Sequence, residues 1–341
     1  MKSFGTLSFG HYGPLGGGHE LTAADTLHQA IDLAQGLDDL GVNGTYFRVH
    51  HFARQHSSPI PLLAAVAART ERIEVGTGVI DLRYENPLNL AEQAGSLDLI
   101  SDGRLALGIS RGSPETVVRG YEAFGYTESE DPRGSDIAYR HLDLFLRAID
   151  GEGLADGDPA GFMGGSRGKQ RIEPYSPTLR SHVWWGSGSS ESAKWAGKLG
   201  LNLMSSTLLT EERGMSFGDL QAEQIEMFRA AWREAGHPGQ PRVSVSRSIF
   251  PITTGDDELF FGRGQGADQV GMIDGLRSTF GRTYAAAPDV LIDQLRQDAA
   301  IQNADTLMLT IPSQLGVEWN LHIVESFATY VAPALGWKPT R

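Results

Sequence analysis

The feature that most constrains this chain is a regular alternation of short apolar strands with amphipathic helices. "SFGTLSFG" reads as a first strand, and "ADTLHQAIDLAQGLDDLG" as a helix closed by Gly41. "TYFRV" leads into "PIPLLAAVAARTE", a helix with Pro near its first turn. "RIEVGTGVI" precedes "PLNLAEQAGSLDLISDG", which Gly103 caps, and "RLALGIS" is a fourth strand. Strands this short, each followed by a helix, pair in parallel through right-handed crossovers.

The second half continues less regularly. Helix "SDIAYRHLDLFLRAID" runs into the Gly-rich excursion "GEGLADGDPAGFMGGSRG". "SHVWWGS", "LNLMSS" and "RVSVSRSIF" read as strands five to seven, with helices over "SSESAKWAGKLG" and residues 211–236. A Gly-rich mixed segment over 253–287 precedes "PDVLIDQLRQDAAIQNA", the eighth strand "DTLMLTI" and a final helix. Eight such units in 341 residues predict an α/β fold: a (β/α)8 TIM barrel with insertions after strands 4 and 7, forming one domain over 1–341.

Composition removes several functions. A net charge of −13 argues against nucleic-acid binding, while still allowing a local phosphate site at one Arg or a helix N-terminus. With no cysteine, disulfides, thiolate chemistry and Cys-ligated metals are excluded. No apolar run reaches the roughly 18 residues that a membrane span needs, and "MKSFGTLSFGHYG" lacks a signal-peptide pattern. A cytoplasmic protein without a membrane contact is expected.

In such a barrel, function gathers at the C-terminal strand ends. That places His11, His50, His51, Gly78, Val79, Ser110, Arg111, residues 187–190, Ser205, Ser206, Arg247 and Pro312 near the mouth. Arg111 there meets either an anion or a neighbouring carboxylate. "GSGSSES" offers backbone N–H groups and hydroxyls at a helix start, suited to a phosphate or to an ordinary Ser-capped turn. It fits neither the Walker nor the GxGxxG pattern, and a mononucleotide phosphate suits it better. His50 and His51 are open to acid–base work or to plain loop polarity; the metal reading lacks an HxH or HExxH pattern. Adjacent side chains face opposite ways, so one of the two is expected in the site.

These residues resemble the bacterial luciferase-like flavin-dependent monooxygenases. The resemblance is most specific in "FRVHHF", in "ERIEVGTGVIDLRYENPLNLAEQAGSLDLISDGRLALGISRG" and in "VWWGSGSSESAKWAGKLGLNLM", and loose over 151–180 and 255–287. It implies reduced FMN, or in some branches a deazaflavin coenzyme, lying across the strand ends. His50 then matches the acid–base histidine beside the flavin. Arg111, Gly188, Ser189 and Ser192 match contacts to its phosphate, and Ser206 and Arg140 match further cofactor contacts. Gly78 and Val79 match a non-prolyl cis peptide under the ring, and Ser110 stands where luciferase has a reactive Cys. Val49 replaces a Glu before the histidine pair, and Gly188 replaces an acidic residue.

The function so implied is a monooxygenase that uses reduced FMN and O2 to oxidise a small organic substrate through a C4a-peroxyflavin. A separate flavin reductase, or reduced nicotinamide, would supply the electrons. Phe9, Tyr12 and Trp185 would wall the pocket, residues 255–280 with their glycines would form a lid, and a homodimer would pair through helices near strands two and three. Alternatives are a deazaflavin-dependent oxidoreductase on the same barrel, a non-catalytic flavin-binding protein and, from another class, a metal-dependent hydrolase.

Overall fold

The structure is a computed structural model that describes residues 2–14, 20–112, 115–158, 160, 167–263, 266–273 and 276–340. Eight parallel strands form its centre: β1 Ser3–Ser8, β2 Gly44–Phe47, β3 Glu74–Thr77, β4 Leu105–Ser110, β5 Val183–Ser187, β6 Asn202–Ser205, β7 Val243–Pro251 and β8 Thr306–Ile311. Each pairs with the next, and β8 returns to β1 in the register Ser3↔Thr306 to Ser8↔Ile311. The pairing of β4 with β5, Val183↔Leu107 onward, completes the circle. The expected (β/α)8 barrel is therefore present. The helices around it are α1 Ala23–Asp39, α2 Pro59–Arg69, α3 Pro87–Ile100, α4 Ser135–Ile149, α5 Ser190–Leu199, α6 Phe217–Glu234, α7 Gly255–Phe261, α8 Pro288–Gln297, α9 Ala299–Asn303 and α10 Gly316–Tyr330.

Strand periodicity separates two cores. Side chains alternate across a strand, so every second residue points into the barrel. Leu7, Tyr46, Ala106, Trp184, Met204 and Met308 form the interior cluster. Phe4, Phe47, Val75, Ile109, Trp185, Leu203 and Val245 face outward into the larger core beneath the helices. Tyr46 and Trp184 fill the lower barrel. The Tyr46 hydroxyl donates to Glu74, whose carboxylate binds Arg242 at 2.6 Å, and Arg242 lies 4.7 Å over the Trp184 ring. Large residues below and small ones above leave the space at the mouth.

The helix expected from residue 211 starts later, because the Ser216 hydroxyl accepts from Asp219 N–H and caps α6 there. The preceding Leu208–Leu209 is a short strand instead. The insertion expected after strand 4 straddles α4. On one side is the 3-10 turn Gly120–Phe124, and on the other the ribbon Ala155–Asp156 with Lys169–Gln170. After β7, α7 is followed by the hairpin Gln269–Ile273 and Leu276–Phe280, which pairs antiparallel with Leu208–Leu209. This is the segment read as a lid. Its Phe261 stacks on Phe250 at 4.4 Å, and Asp257 is hydrogen-bonded to Thr253 and to His322 of α10. Gly264 and Gly275 lie outside the described residues.

Candidate active site at the barrel mouth

A cavity of about 160 Å³, open to solvent, occupies the C-terminal end of the barrel. Gly78, Val79, Ser110, Gly186, Ser206 and Ser246 give it a floor of mostly small residues, with Leu7, Met204 and Met308 as apolar surface. The Gly78–Val79 peptide bond is cis. Beyond it the chain resumes pairing with β4, which sets Asp81 beside Ser110.

At one rim, Arg111, Gly188, Ser189 and Ser192 line the same space. Ser189 caps α5 by accepting from Ser192 N–H, and the Ser192 hydroxyl accepts from the Trp185 indole at 2.9 Å. Arg111 is exposed, and among the described residues it has no carboxylate within 4 Å. The N–H and hydroxyl of Ser190 both donate to Glu211, at 2.6 and 2.9 Å. A second groove continues outward from this rim along Arg111, Lys194 and Lys198.

The opposite rim carries the histidines. Arg48, next to Val49, lines the cavity and donates to His50 Nε2 at 2.7 Å. His50 itself stands behind Arg48 and does not line the cavity. Burial, then the Arg48 charge, pushes its pKa down to about 4. His51 turns the other way and stacks on Tyr84, ring centroids 4.1 Å apart. Burial lowers its pKa as well. The group that lines this wall is Arg48, and His50 meets the cavity wall through its contact with that guanidinium.

Other expected residues lie elsewhere. Arg140 is on the exposed face of α4, where it binds Asp136 at 3.0 Å and the Glu128 carbonyl at 3.3 Å. One turn of helix supplies its partner, so nothing draws it to the mouth. Trp185 faces outward against Trp195 and reaches the site through Ser192. Tyr12 lies in a groove between α1 and α2, and Phe9 lies under Arg48, 5.2 Å from its guanidinium. Arg247 also points outward, into a buried ion pair with Asp298. Pro312 serves as an acceptor for Asn320. His11 meets Gln55 at 2.9 Å.

Sequence reading missed Arg48, Asp81 and Glu115. Asp81 is gripped by Arg83, whose Nη2 lies 2.5 Å from Oδ2 and whose Nε is 3.0 Å from Oδ1. Glu115 accepts from the Tyr84 hydroxyl. Burial, with the Asp81 charge adding, raises the Glu115 pKa to about 7. The two carboxyl groups are 34 positions apart, and only the barrel brings them together.

Residues 3–259 match a family model described as luciferase-like monooxygenase. The chain belongs to that family. Limonene 1,2-monooxygenase of Rhodococcus erythropolis is 24% identical over 310 residues, covering 86% of this chain and 77% of that protein. Two solved structures share the fold. The oxygenating constituent of 3,6-diketocamphane monooxygenase from Pseudomonas putida, in complex with FMN, has a TM-score of 0.69 at 19% identity, covering 98% of this chain and 99% of that one. An F420-dependent secondary alcohol dehydrogenase has a TM-score of 0.62 at 15% identity, with 98% and 99% covered. The model match spans β1 to β7, and so includes every residue of the rim that carries Arg111. No described helix of this luciferase-like protein is long and apolar enough to cross a membrane.

Proposed function

We propose that the chain, acting as one flavin-binding domain, is a monooxygenase that uses reduced FMN and O2 to oxidise a small organic molecule. The observation that carries this reading is the shape of the mouth: a small-residue floor running from Gly78 to a helix N-terminus beside Arg111, which has no carboxylate partner among the described residues. A flat ring fits above Gly78, Ser110 and Gly186, where bulkier side chains would fill the space. A phosphate fits at Arg111, Ser189 and Ser192, because helix N-termini and guanidinium groups both favour anions. Bound reduced flavin would supply the oxygen-transfer chemistry set out above. The protein's own part is to hold the ring over the floor, to exclude water with Leu7, Val79, Met204 and Met308, and to keep uncharged imidazole at His50.

A deazaflavin coenzyme is the second reading. The groove past the phosphate rim carries Lys198 beside a Lys194 that is paired with Glu191, and Lys198 suits an anionic tail continuing beyond the phosphate.

Fluorescence titration with FMN and with the deazaflavin, followed by oxygen uptake on adding reduced FMN, tests both. Tight FMN binding with oxygen uptake is expected. Exclusive deazaflavin binding would favour the second reading, and failure of both coenzymes to bind would end the proposal.

A further inference from the structure

Several of the enclosed arginines among the described residues are supplied with anions or carbonyls. Arg83 faces Asp81, Arg242 faces Glu74, and Arg247 faces Asp298. Arg104 donates to the carbonyls of Ala67, Thr70 and Ile73 and to the Thr70 hydroxyl. Arg48 is partly buried at the cavity wall, and among the described residues no carboxylate lies within 4 Å of it. Its described partners are the His50 nitrogen and the Phe9 ring. A guanidinium has five N–H donors, so among the described residues most of its donor capacity is without a partner, at a residue that lines the cavity. Burial lowers its pKa, and no carboxylate opposes that effect. Enclosing a cation this way is costly unless an oxygen-rich group arrives to meet it.

The carboxylates at the mouth are already engaged. Asp81 is neutralised by the forked contact from Arg83, and Glu115 is held by Tyr84. Arg111 follows β4, two strands round the barrel from β2, and stands beside the α5 rim assigned to the coenzyme phosphate. Leu7, Val49 and Met308 give the cavity that Arg48 lines an apolar surface.

We infer that Arg48 is a substrate-recognition residue and that the oxidised substrate is a small apolar molecule bearing a carboxylate, which the Arg48 guanidinium binds inside the cavity. The inference rests on the monooxygenase reading for the statement that the cavity holds a substrate. Planar forked donation matches a carboxylate in geometry as well as charge, and a neutral carboxamide of the same skeleton loses the ionic part. His50 is a positioning residue for this contact, because its lone pair fixes one arm of the guanidinium.

The test compares matched pairs, benzoate with benzamide and octanoate with octanamide, by calorimetric titration into the full chain, with and without saturating FMN. Wild type is expected to prefer the carboxylate by about tenfold or more. Arg48→Gln should abolish the preference, Arg48→Lys should restore part of it, both variants should keep wild-type FMN affinity, and Arg48→Gln should melt no lower than wild type. A wild-type protein indifferent to every pair overturns the inference, as does an unchanged preference in Arg48→Gln. Selective loss of FMN binding in Arg48→Gln also overturns it, by making Arg48 a coenzyme ligand. Titration of the coenzyme-free chain keeps these outcomes separate from a failure of flavin binding itself.

Discussion

Arg48 donates a 2.7 Å hydrogen bond to Nε2 of His50, so a cation holds its neighbouring imidazole in the uncharged form. Burial is the larger cause of the low His50 pKa and the Arg48 charge the next. NMR titration should therefore place His50 near 4. Arg48→Gln should raise the value while leaving it below the ordinary range. The sign for stability follows from proton uptake. Between pH 6.5 and about 4 the unfolded chain binds protons at His50 and His56 that the folded chain refuses, since both are pushed to about 4. Their contribution to stability is lost as pH falls through that window. Replacing either by Gln should flatten the acid side of the melting curve.

Glu85 and Glu115 act in the opposite direction. Each is pushed up to about 7, mainly by burial, from an ordinary value of 4.5. The folded chain then holds protons that the unfolded chain releases, so stability declines as pH rises from about 4.5 to 7. This window overlaps that of the histidines, and the two trends partly cancel in wild type. The difference between Glu85→Gln and wild type is therefore the informative measurement. It should move in favour of the variant as pH rises from 5 to 8, read by thermal melts.

The barrel was legible because strand–helix alternation is a local pattern, and β1 to β8 fall where the short apolar runs do. Much of the mouth was legible too, since Gly78, Ser110, Arg111, Gly188, Ser189 and Ser192 stand at or just beyond strand ends and line one cavity. Two kinds of residue escaped. Arg48 shares the inward parity of Tyr46, a signal present in "TYFRV" that was outweighed by the histidine pair after it. Asp81 and Glu115 meet only through folding, and no spacing announces them. The hairpin over 269–280 was unreadable for a similar reason: its partner, Leu208–Leu209, belongs to another βα connection.

Arg247 shows how strand parity decides a role. Ser246 lines the cavity, so Arg247 points outward, where its guanidinium grips Asp298 at 2.8 and 3.0 Å with both side chains buried. Asp298 also accepts from the Tyr284 hydroxyl and from the N–H groups of Ala300 and Ile301 that open α9. Asp298→Asn leaves the guanidinium buried without its counter-charge and should destabilise the fold by about 3–5 kcal/mol. Urea unfolding at pH 7 measures this, with coenzyme affinity of the surviving folded fraction unchanged.

At the α5 rim, Glu211 holds the N–H and hydroxyl of Ser190. A phosphate drawn to the same helix start would meet that carboxylate as a like charge, while Arg111 on the same rim attracts it. Riboflavin, which has the ring without the phosphate, separates these effects from any change in the floor of the cavity. Glu211→Gln is expected to tighten FMN binding several-fold and leave riboflavin unaffected. Arg111→Met should weaken FMN by about 10–100-fold, the loss of a charged hydrogen bond, again without an effect on riboflavin. Equal changes for both ligands in either variant would place the phosphate away from this rim.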